Sequence, residues 1–581
     1  MQFVMSIGLN ALVDPIDQTE NSIIYNNFSF NALSERWINY SSDPDSTLIV
    51  VGYIAEFSNS IEKLHSFCRE CVRTNSYKKL KQLSGNFVLI YYSEITRNVI
   101  VSSDISGCIP LYKIKKKDQL VITSSIKYAS KISDGNNLNK RAFIASLSLF
   151  PLQPSETMLS DVERINPEQV TQFNTETAAV ERIFSFSIPS LVLNSDYRNL
   201  NEDEAAELVK GWLEETTRII TDNGGATVPL SGGIDSSNIW AAVVRQSALQ
   251  HNNVSAFTCG HGNYDSDESG MAEAWKAKYP EYQYIHNGNT FDDLVTYYLR
   301  QTSDQNPGLV LDRAHHSLFI NKYLDRGVSS NVITGEGGDE LFTGEASCFT
   351  DLLMSGQLTK AKKTLAALKE TYSSDEYYTG SLFSYRRLFK PRGRAFNAIH
   401  HIRQPKLRPW LVPERSSDYV EVLGNNNVKQ DFLVSPGRFS TQDMLKKYCY
   451  IQNSLFLSEY HHTYSERNLF VFHPLLEFRM LSLAYSIRPE LHVANGSFKN
   501  ILRLSLKSTA PNEILNNKSK HTNAVFYGDI ADKVADKVTP IQDWNLVKNS
   551  YIDLPDNNRY RSKWIYIHLY CHEILLQNYD I

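Results

Sequence analysis

The ten residues Val228-Pro-Leu-Ser-Gly-Gly-Ile-Asp-Ser-Ser237 constrain this chain more than any other stretch. An apolar run, Ala226-Thr-Val, leads into a Ser/Gly turn, and a helix-compatible segment, Asn238-Ile-Trp-Ala-Ala-Val-Val, leaves it. Strand, tight turn and helix in that order aim backbone N–H groups and a helix N-terminus at an anion. Gly232 and Gly233 let the backbone approach phosphate oxygens, while Ser231, Ser236 and Ser237 add hydroxyl donors. The Gly-Lys-Ser/Thr ending of a Walker loop is absent, so this is a phosphate turn of another kind.

Strand and helix alternate around that turn. After a helix-periodic segment from Glu202 to Ile220, core strands are expected at Asn253-Val-Ser-Ala-Phe-Thr-Cys, at Tyr282-Gln-Tyr-Ile-His and at Asn331-Val-Ile-Thr-Gly, with a helix opening near Asp267. This pattern predicts a parallel sheet covered on both faces, with ligands at the carboxyl ends of its strands. Upstream the period is two: Thr47-Leu-Ile-Val-Val-Gly-Tyr-Ile-Ala, Gly85-Asn-Phe-Val-Leu-Ile-Tyr-Tyr, Asn98-Val-Ile-Val-Ser-Ser and Gln119-Leu-Val-Ile-Thr read as antiparallel strands. The expected fold is therefore α+β/α/β in two domains. An antiparallel β-sandwich occupies 1–190, and a parallel-sheet domain with a helical C-terminal part occupies 200–581. The punctuated stretch 184–201 links them, and the last third, from Gln442, reads as mostly helical.

A chain of 581 residues is long enough for two such cores. With 42% hydrophobic and 21% charged residues it has the balance of a soluble globular protein. A net charge of −5 argues against general nucleic-acid binding. No apolar run spans a bilayer and the N-terminus lacks a secretion signal, so neither a membrane nor a nucleic acid is expected as partner. Cys68-Arg-Glu-Cys71 has zinc-ligand spacing without a second pair, and the sparse cysteines fit reduced thiols in the cytoplasm.

The expected fourth strand runs into Thr334-Gly-Glu-Gly-Gly-Asp-Glu-Leu-Phe-Thr-Gly344. Glycines around an acidic pair let the backbone bend while Glu336, Asp339 and Glu340 point into one space. With Asp235 on the equivalent turn of the first strand, Asp235 and Asp339 suit Mg²⁺, which takes few protein ligands beside phosphate oxygens.

The Ser-Gly-Gly-Ile-Asp-Ser string resembles the pyrophosphate loop of ATP pyrophosphatases, and the Thr334–Gly344 string resembles the second nucleotide motif of the asparagine synthetase family. Leu83-Ser-Gly-Asn-Phe-Val-Leu, Ser103-Asp-Ile-Ser-Gly, Pro110-Leu-Tyr and Arg164-Ile-Asn-Pro-Glu resemble that family's class II glutaminase domain. Leu457-Ser-Glu-Tyr, His473-Pro-Leu-Leu-Glu, Asn495-Gly-Ser-Phe-Lys-Asn-Ile-Leu-Arg503 and the 511–520 stretch follow its synthetase landmarks in order.

The resemblance implies ATP and Mg²⁺ as cofactors. It places the nucleotide on Ser231, Gly232, Gly233, Asp235, Ser236, Ser237 and Gly335, and the metal on Asp235 and Asp339. It gives catalytic roles to Glu336 and Glu459 as proton acceptors and to a lysine that stabilises developing charge. Lys518 and Lys520 both suit that last role, and the spacing from Pro511 favours Lys520.

One departure matters. The family's glutaminases use an N-terminal cysteine, whereas this chain has Gln2 and no cysteine before Cys68, so the first domain is expected to be a degenerate glutaminase. A dead glutaminase on this scaffold resembles the lasso-peptide macrolactam synthetases, which join a peptide's own N-terminal amine to an Asp or Glu side chain. Lys406-Leu-Arg-Pro-Trp-Leu-Val-Pro resembles a segment of peptide-cyclising relatives. β-Lactam synthetases also resemble this chain but place a tyrosine where Glu336 stands. The expectation is an AMP-forming ligase acting on a peptide, with a leader peptidase and a leader-binding protein as pathway partners. The alternative is a small acid amidated or cyclised by a glutaminase-dead asparagine synthetase-like or β-lactam synthetase-like enzyme. The basic, aromatic run 385–394 is expected to be a solvated, mobile insertion, with a docking surface for an acidic or peptide partner as the alternative.

Overall fold

In the computed structural model the described residues are 2–8, 22–25, 27–32, 36–116, 118–133, 137–147, 151–246, 254–260, 269–288, 329–344, 347–371, 439–454 and 456–517. The N-terminal strands are β1 (Phe3–Gly8), β2 (Ser22–Tyr25), β3 (Phe28–Ala32), β4 (Ile38–Asp43), β5 (Ser46–Ile54), β6 (Gly85–Ser93), β7 (Asn98–Ser103), β8 (Tyr112–Lys116), β9 (Gln119–Thr123), β10 (Glu163–Arg164), β11 (Gln169–Asn174) and β12 (Ala179–Ser185). They form two antiparallel sheets, ordered β10-β8-β9-β1-β3-β2 and β12-β11-β7-β6-β5-β4.

The two-residue period of β5 explains the packing. Ile49, Val51 and Tyr53 share a core with Phe3, Met5 and Ile7 of the opposite sheet. The alternate residues Leu48, Val50 and Ile54 pack on the outer face against Leu64, Cys68 and Cys71, which lie on the helix Ile61–Arg73. A strand covered on both faces reads as one apolar run. Cys68 and Cys71, whose spacing fits zinc ligands, are thus core side chains, and burial pushes both thiols up.

The C-terminal sheet comprises β13 (Ala226–Pro229), β14 (Val254–Gly260), β15 (Gln283–Gly288), β16 (Asn331–Ile333) and β17 (Phe470–Phe472). It is parallel throughout, in the order β15-β14-β13-β16-β17. From β13 the chain builds outward through β14 to β15, and β16 then starts again on the other side of β13. That reversal opens a crevice beyond the carboxyl ends of β13 and β16. The helix Glu202–Asp222 is launched by a capping box: Asn201 Oδ1 accepts from Glu204 N–H at 2.9 Å and Glu204 Oε2 from Asn201 N–H at 2.8 Å.

Most described residues of the last third are helical, as expected, and Phe470-Val-Phe472 adds β17 to the sheet among them. A three-residue run is too short to show a period. The stretch 184–201 is more than a link. Ile188, Leu191 and Val192 are buried on the short helix Ile188–Val192, and Ser482 Oγ donates to Val192 O at 2.7 Å from the helix Phe478–Ser486.

Buried polar contacts join the β-sandwich to the parallel sheet. Trp37 Nε1 donates to Asn331 Oδ1 at 3.0 Å, at the start of β16. His473 N–H donates to Asn86 Oδ1 at 2.7 Å. Glu477, 1% exposed, accepts from Tyr53 OH at 2.7 Å, from Thr216 Oγ1 at 2.8 Å and from Arg479 Nε at 2.8 Å. A buried carboxylate is tolerated only when supplied with donors in this way. Tyr53→Phe removes one of them, and we expect a loss of about 1–3 kcal/mol in guanidinium unfolding followed by circular dichroism. An unchanged midpoint would show that the contact contributes nothing.

Candidate active site

Two turns meet in the crevice, one after β13 and one after β16. In the first, Ser231 Oγ lies 3.1 Å from Ser236 Oγ and accepts from Gly233 N–H at 3.3 Å. Ser236 Oγ also accepts from Ser231 N–H at 3.3 Å. Gly232 sits at φ 78°, a left-handed conformation that favours glycine. The helix Ile234–Gln246 follows, with Asp235 in its first turn. The turn's residues differ in access. Ser231 is exposed and Gly233 half-buried, while Ser237 is fully buried under the helix start. Ser231 and the backbone of 231–233 are therefore the groups at the mouth.

The second turn shows why its sequence is rich in glycine. A Cβ on Gly338 would stand 2.3 Å from Asp235 Cγ, and one on Gly335 2.6 Å from Ser236 N. The turns are in backbone contact, which only glycine permits. Gly337 adopts φ 100° and heads the single helical turn Gly338–Leu341, which carries Asp339 and Glu340.

Between Asp235 and Asp339 stands a cation that the sequence reading passed over. Lys499 Nζ is 2.5 Å from Asp235 Oδ2 and 2.8 Å from Asp339 Oδ1. Burial opposes its charge, but the two carboxylates outweigh burial and hold its pKa above the ordinary lysine value. Asp339 Oδ1 also accepts from Thr343 Oγ1 at 3.2 Å. The signal was present in Asn495-Gly-Ser-Phe-Lys-Asn-Ile-Leu-Arg503, but the charge partners of a lone lysine are not written beside it.

The three carboxylates of the second turn, expected in one space, diverge. Asp339 turns to Lys499. Glu336 Oε1 accepts from Tyr460 OH at 3.0 Å, on the helix Phe456–Ser465. Glu340 lines a separate cavity with Ser440, Met444 and His492. Burial, with the Asp339 charge beside it, pushes Glu340 up to about 7. Neighbouring residues in a helical turn project about 100° apart, so Asp339 and Glu340 cannot share a target.

Behind Glu336, Thr334 Oγ1 lies 2.7 Å from His473 Nδ1 and accepts from Glu336 N–H at 3.4 Å. His473 is the residue held by Asn86, so a chain of contacts runs from the β-sandwich to the turn. Glu459 lies elsewhere. It is buried, accepts from Thr463 Oγ1 at 3.4 Å, and lines a cavity between the two regions with Tyr112, Arg164 and Asn453. The structure thus gathers Ser231, Gly232, Gly233, Asp235, Ser236, Gly335 and Asp339 at the crevice. It sets Glu336 at the edge with Tyr460, and puts Glu459 in the other cavity. Lys518 and Lys520, the run 385–394 and the segment 406–413 lie outside the described residues.

The residues fit a bound divalent cation. Lys499 shows that the Asp235–Asp339 pair seats positive charge, and Gly335 and Gly338 add no side chain of their own between the turns. Among the described residues no cluster of three or more His, Cys, Asp or Glu forms a metal cage. Two carboxylates with phosphate oxygens are the ligand set Mg²⁺ uses.

A phosphate-type turn facing a carboxylate pair, at the switch point of a parallel sheet, defines an α/β nucleotide-binding domain. Residues 217–554, more than half of the chain, match the family model for asparagine synthase. The chain therefore belongs to the asparagine synthase family, which implies ATP-dependent amidation or ligation. No curated protein matches the sequence. Among solved structures, glutamine phosphoribosylpyrophosphate (PRPP) amidotransferase from B. subtilis, complexed with ADP and GMP, is 11% identical, covering 57% of this chain and 75% of its own, with a TM-score of 0.20. Among the described residues no helix is long and apolar enough to cross a membrane.

Gly338→Ala tests the contact between the turns. Its methyl group must displace the Asp235 carboxylate, so affinity for Mg²⁺ with α,β-methylene-ATP, by titration calorimetry, should fall at least about tenfold, or ~1.4 kcal/mol. Undiminished affinity would mean that the turns do not act together.

Proposed function

We propose that this protein forms an amide bond through an acyl-adenylate, closing the macrolactam ring of a lasso-type peptide. A carboxylate oxygen attacks the α-phosphorus of ATP, the bond to the bridging oxygen breaks, and pyrophosphate leaves. The amine then attacks the acyl carbon, and AMP departs with the electrons of the acyl–oxygen bond. Backbone N–H groups of 231–233 and Ser231 Oγ would hold the departing diphosphate. Asp235 and Asp339 would hold Mg²⁺, which neutralises phosphate charge when bound.

Glu336, oriented by the Tyr460 hydroxyl, takes the proton that the attacking amine must lose. Glu459, buried in the neighbouring cavity, is the second candidate for that role. Lys520 is proposed to stabilise charge in both half-reactions. The observation that carries this reading is the meeting of the two turns around a pair of carboxylates at the switch point.

The peptide reading is supported by the first domain. Gln2, at the head of β1, offers an amide that donates to Ser465 Oγ at 3.0 Å, where a glutaminase needs a thiol. Cys108, in the same region, is fully buried and its thiol is pushed well up by burial and by Asp104. Neither residue supplies the thiolate that releases ammonia from glutamine, so the amine is proposed to come from the acceptor itself. In that pathway a leader peptidase and a leader-binding protein would deliver the peptide, in the cytoplasm.

ATP–pyrophosphate exchange tests the reading. Exchange should depend on a linear core peptide with a free N-terminal glycine and an acidic side chain further along, and Asp235→Asn should lower it at least about a hundredfold. Exchange driven instead by aspartate or another small acid would replace the peptide with a small-molecule substrate. Release of ADP in place of AMP would overturn the mechanism.

A further inference from the structure

We infer that Lys499 is a resident counter-ion of the metal seat and makes divalent-cation binding conditional on the nucleotide. The inference rests on reading Asp235 and Asp339 as the Mg²⁺ ligands. One ammonium is shared between Asp235 Oδ2 at 2.5 Å and Asp339 Oδ1 at 2.8 Å, with only 14% of the lysine side chain exposed.

Its position is imposed from two sides. Lys499 adopts φ 56° and ψ 34°, a left-handed conformation disfavoured for a side chain of this size, and functional sites are where such conformations persist. Its N–H donates to Thr343 O at 3.1 Å, and the hydroxyl of that same threonine donates to Asp339. On the other side, the helix Asn500–Leu506 is joined to the helix bearing Asp235. Asn238 Nδ2 donates to Leu502 O at 3.0 Å, and Ser505 Oγ donates to Asn238 Oδ1. Asp235 and Asn238 lie one turn apart, as do Lys499 and Leu502. A buried contact between the two helices therefore sets where the ammonium falls.

The consequence is electrostatic. Two carboxylates held this close repel unless a positive charge lies between them. Lys499 supplies that charge and keeps both oxygens where a metal would need them. A divalent cation arriving alone meets an occupied seat, a halved attraction and a like charge. A nucleotide changes the balance. Its diphosphate, seated on the 231–237 turn beside Asp235, offers the ammonium a second anionic partner. The lysine then moves from carboxylate to phosphate oxygens while the cation takes its place, and no covalent bond changes. Cation and nucleotide enter together, and the free enzyme does not store metal.

The test uses the full chain, Mn²⁺ as a paramagnetic probe and α,β-methylene-ATP, with no acid substrate. In the wild type, Mn²⁺ should remain free in its paramagnetic resonance spectrum until the analogue is added, and then bind. Lys499→Met should bind Mn²⁺ without nucleotide roughly tenfold or more tightly than the wild type, and Lys499→Arg should restore the exclusion. Circular dichroism checks folding, and Lys499→Gln replaces the Met variant if that one does not fold. Equal nucleotide-free Mn²⁺ affinity in wild type and Lys499→Met overturns the inference. Failure of every variant to bind Mn²⁺ even with the analogue overturns the metal reading of Asp235 and Asp339 beneath it, and the two failures differ in whether the nucleotide recruits the ion.

Discussion

The contact on which this site depends is the approach of Gly335 and Gly338 to Asp235 and Ser236. Were a methyl group present on Gly338, the carboxylate of Asp235 would have to leave, because the ideal Cβ position lies 2.3 Å from its Cγ and Oδ1. The approach brings two acidic side chains, from the turns that follow neighbouring parallel strands, around one small volume. Like charges gathered around one small volume repel, so the arrangement favours a cation between them. Lys499 takes that place in the free chain. The glycines, the carboxylate pair and the lysine form one unit.

The β-sandwich is physically committed to this unit. Asn86, on β6, holds the backbone of His473. His473 meets the Thr334 hydroxyl, and Thr334 accepts from the backbone of Glu336. The Tyr460 ring packs edge-on against His473 and its hydroxyl reaches the Glu336 carboxylate. The first domain thus positions the second turn, which gives a physical reason to keep it. The Glu477 network and the Trp37–Asn331 bond strengthen the same junction.

Much of this was legible in the sequence, for reasons that can be named. The turn after β13 declares itself because its glycines and serines interrupt an apolar run just before a helix. The acidic turn after β16 does so because glycines flank Asp339 and Glu340. The strands β5, β6 and β7 show through their long apolar runs. The rest depends on contacts between distant residues. Lys499 acquires meaning only when Asp235, 264 positions away, comes within 2.5 Å. Glu459 and Tyr460 are adjacent on one helix, and it is the tyrosine that reaches Glu336. Phe470-Val-Phe472 is too short to announce a strand, and Ile188, Leu191 and Val192 look like scattered apolar residues in a polar stretch until the Phe478–Ser486 helix covers them.

A crystal structure of the full chain with Mg²⁺ and α,β-methylene-ATP would show whether the two turns grip one diphosphate together. The β- and γ-phosphates should lie against the backbone N–H groups of residues 231–233 and Ser231 Oγ, with the cation on Asp235 and Asp339. A diphosphate bound away from the 231–237 turn, or a cation held by other side chains, would contradict it.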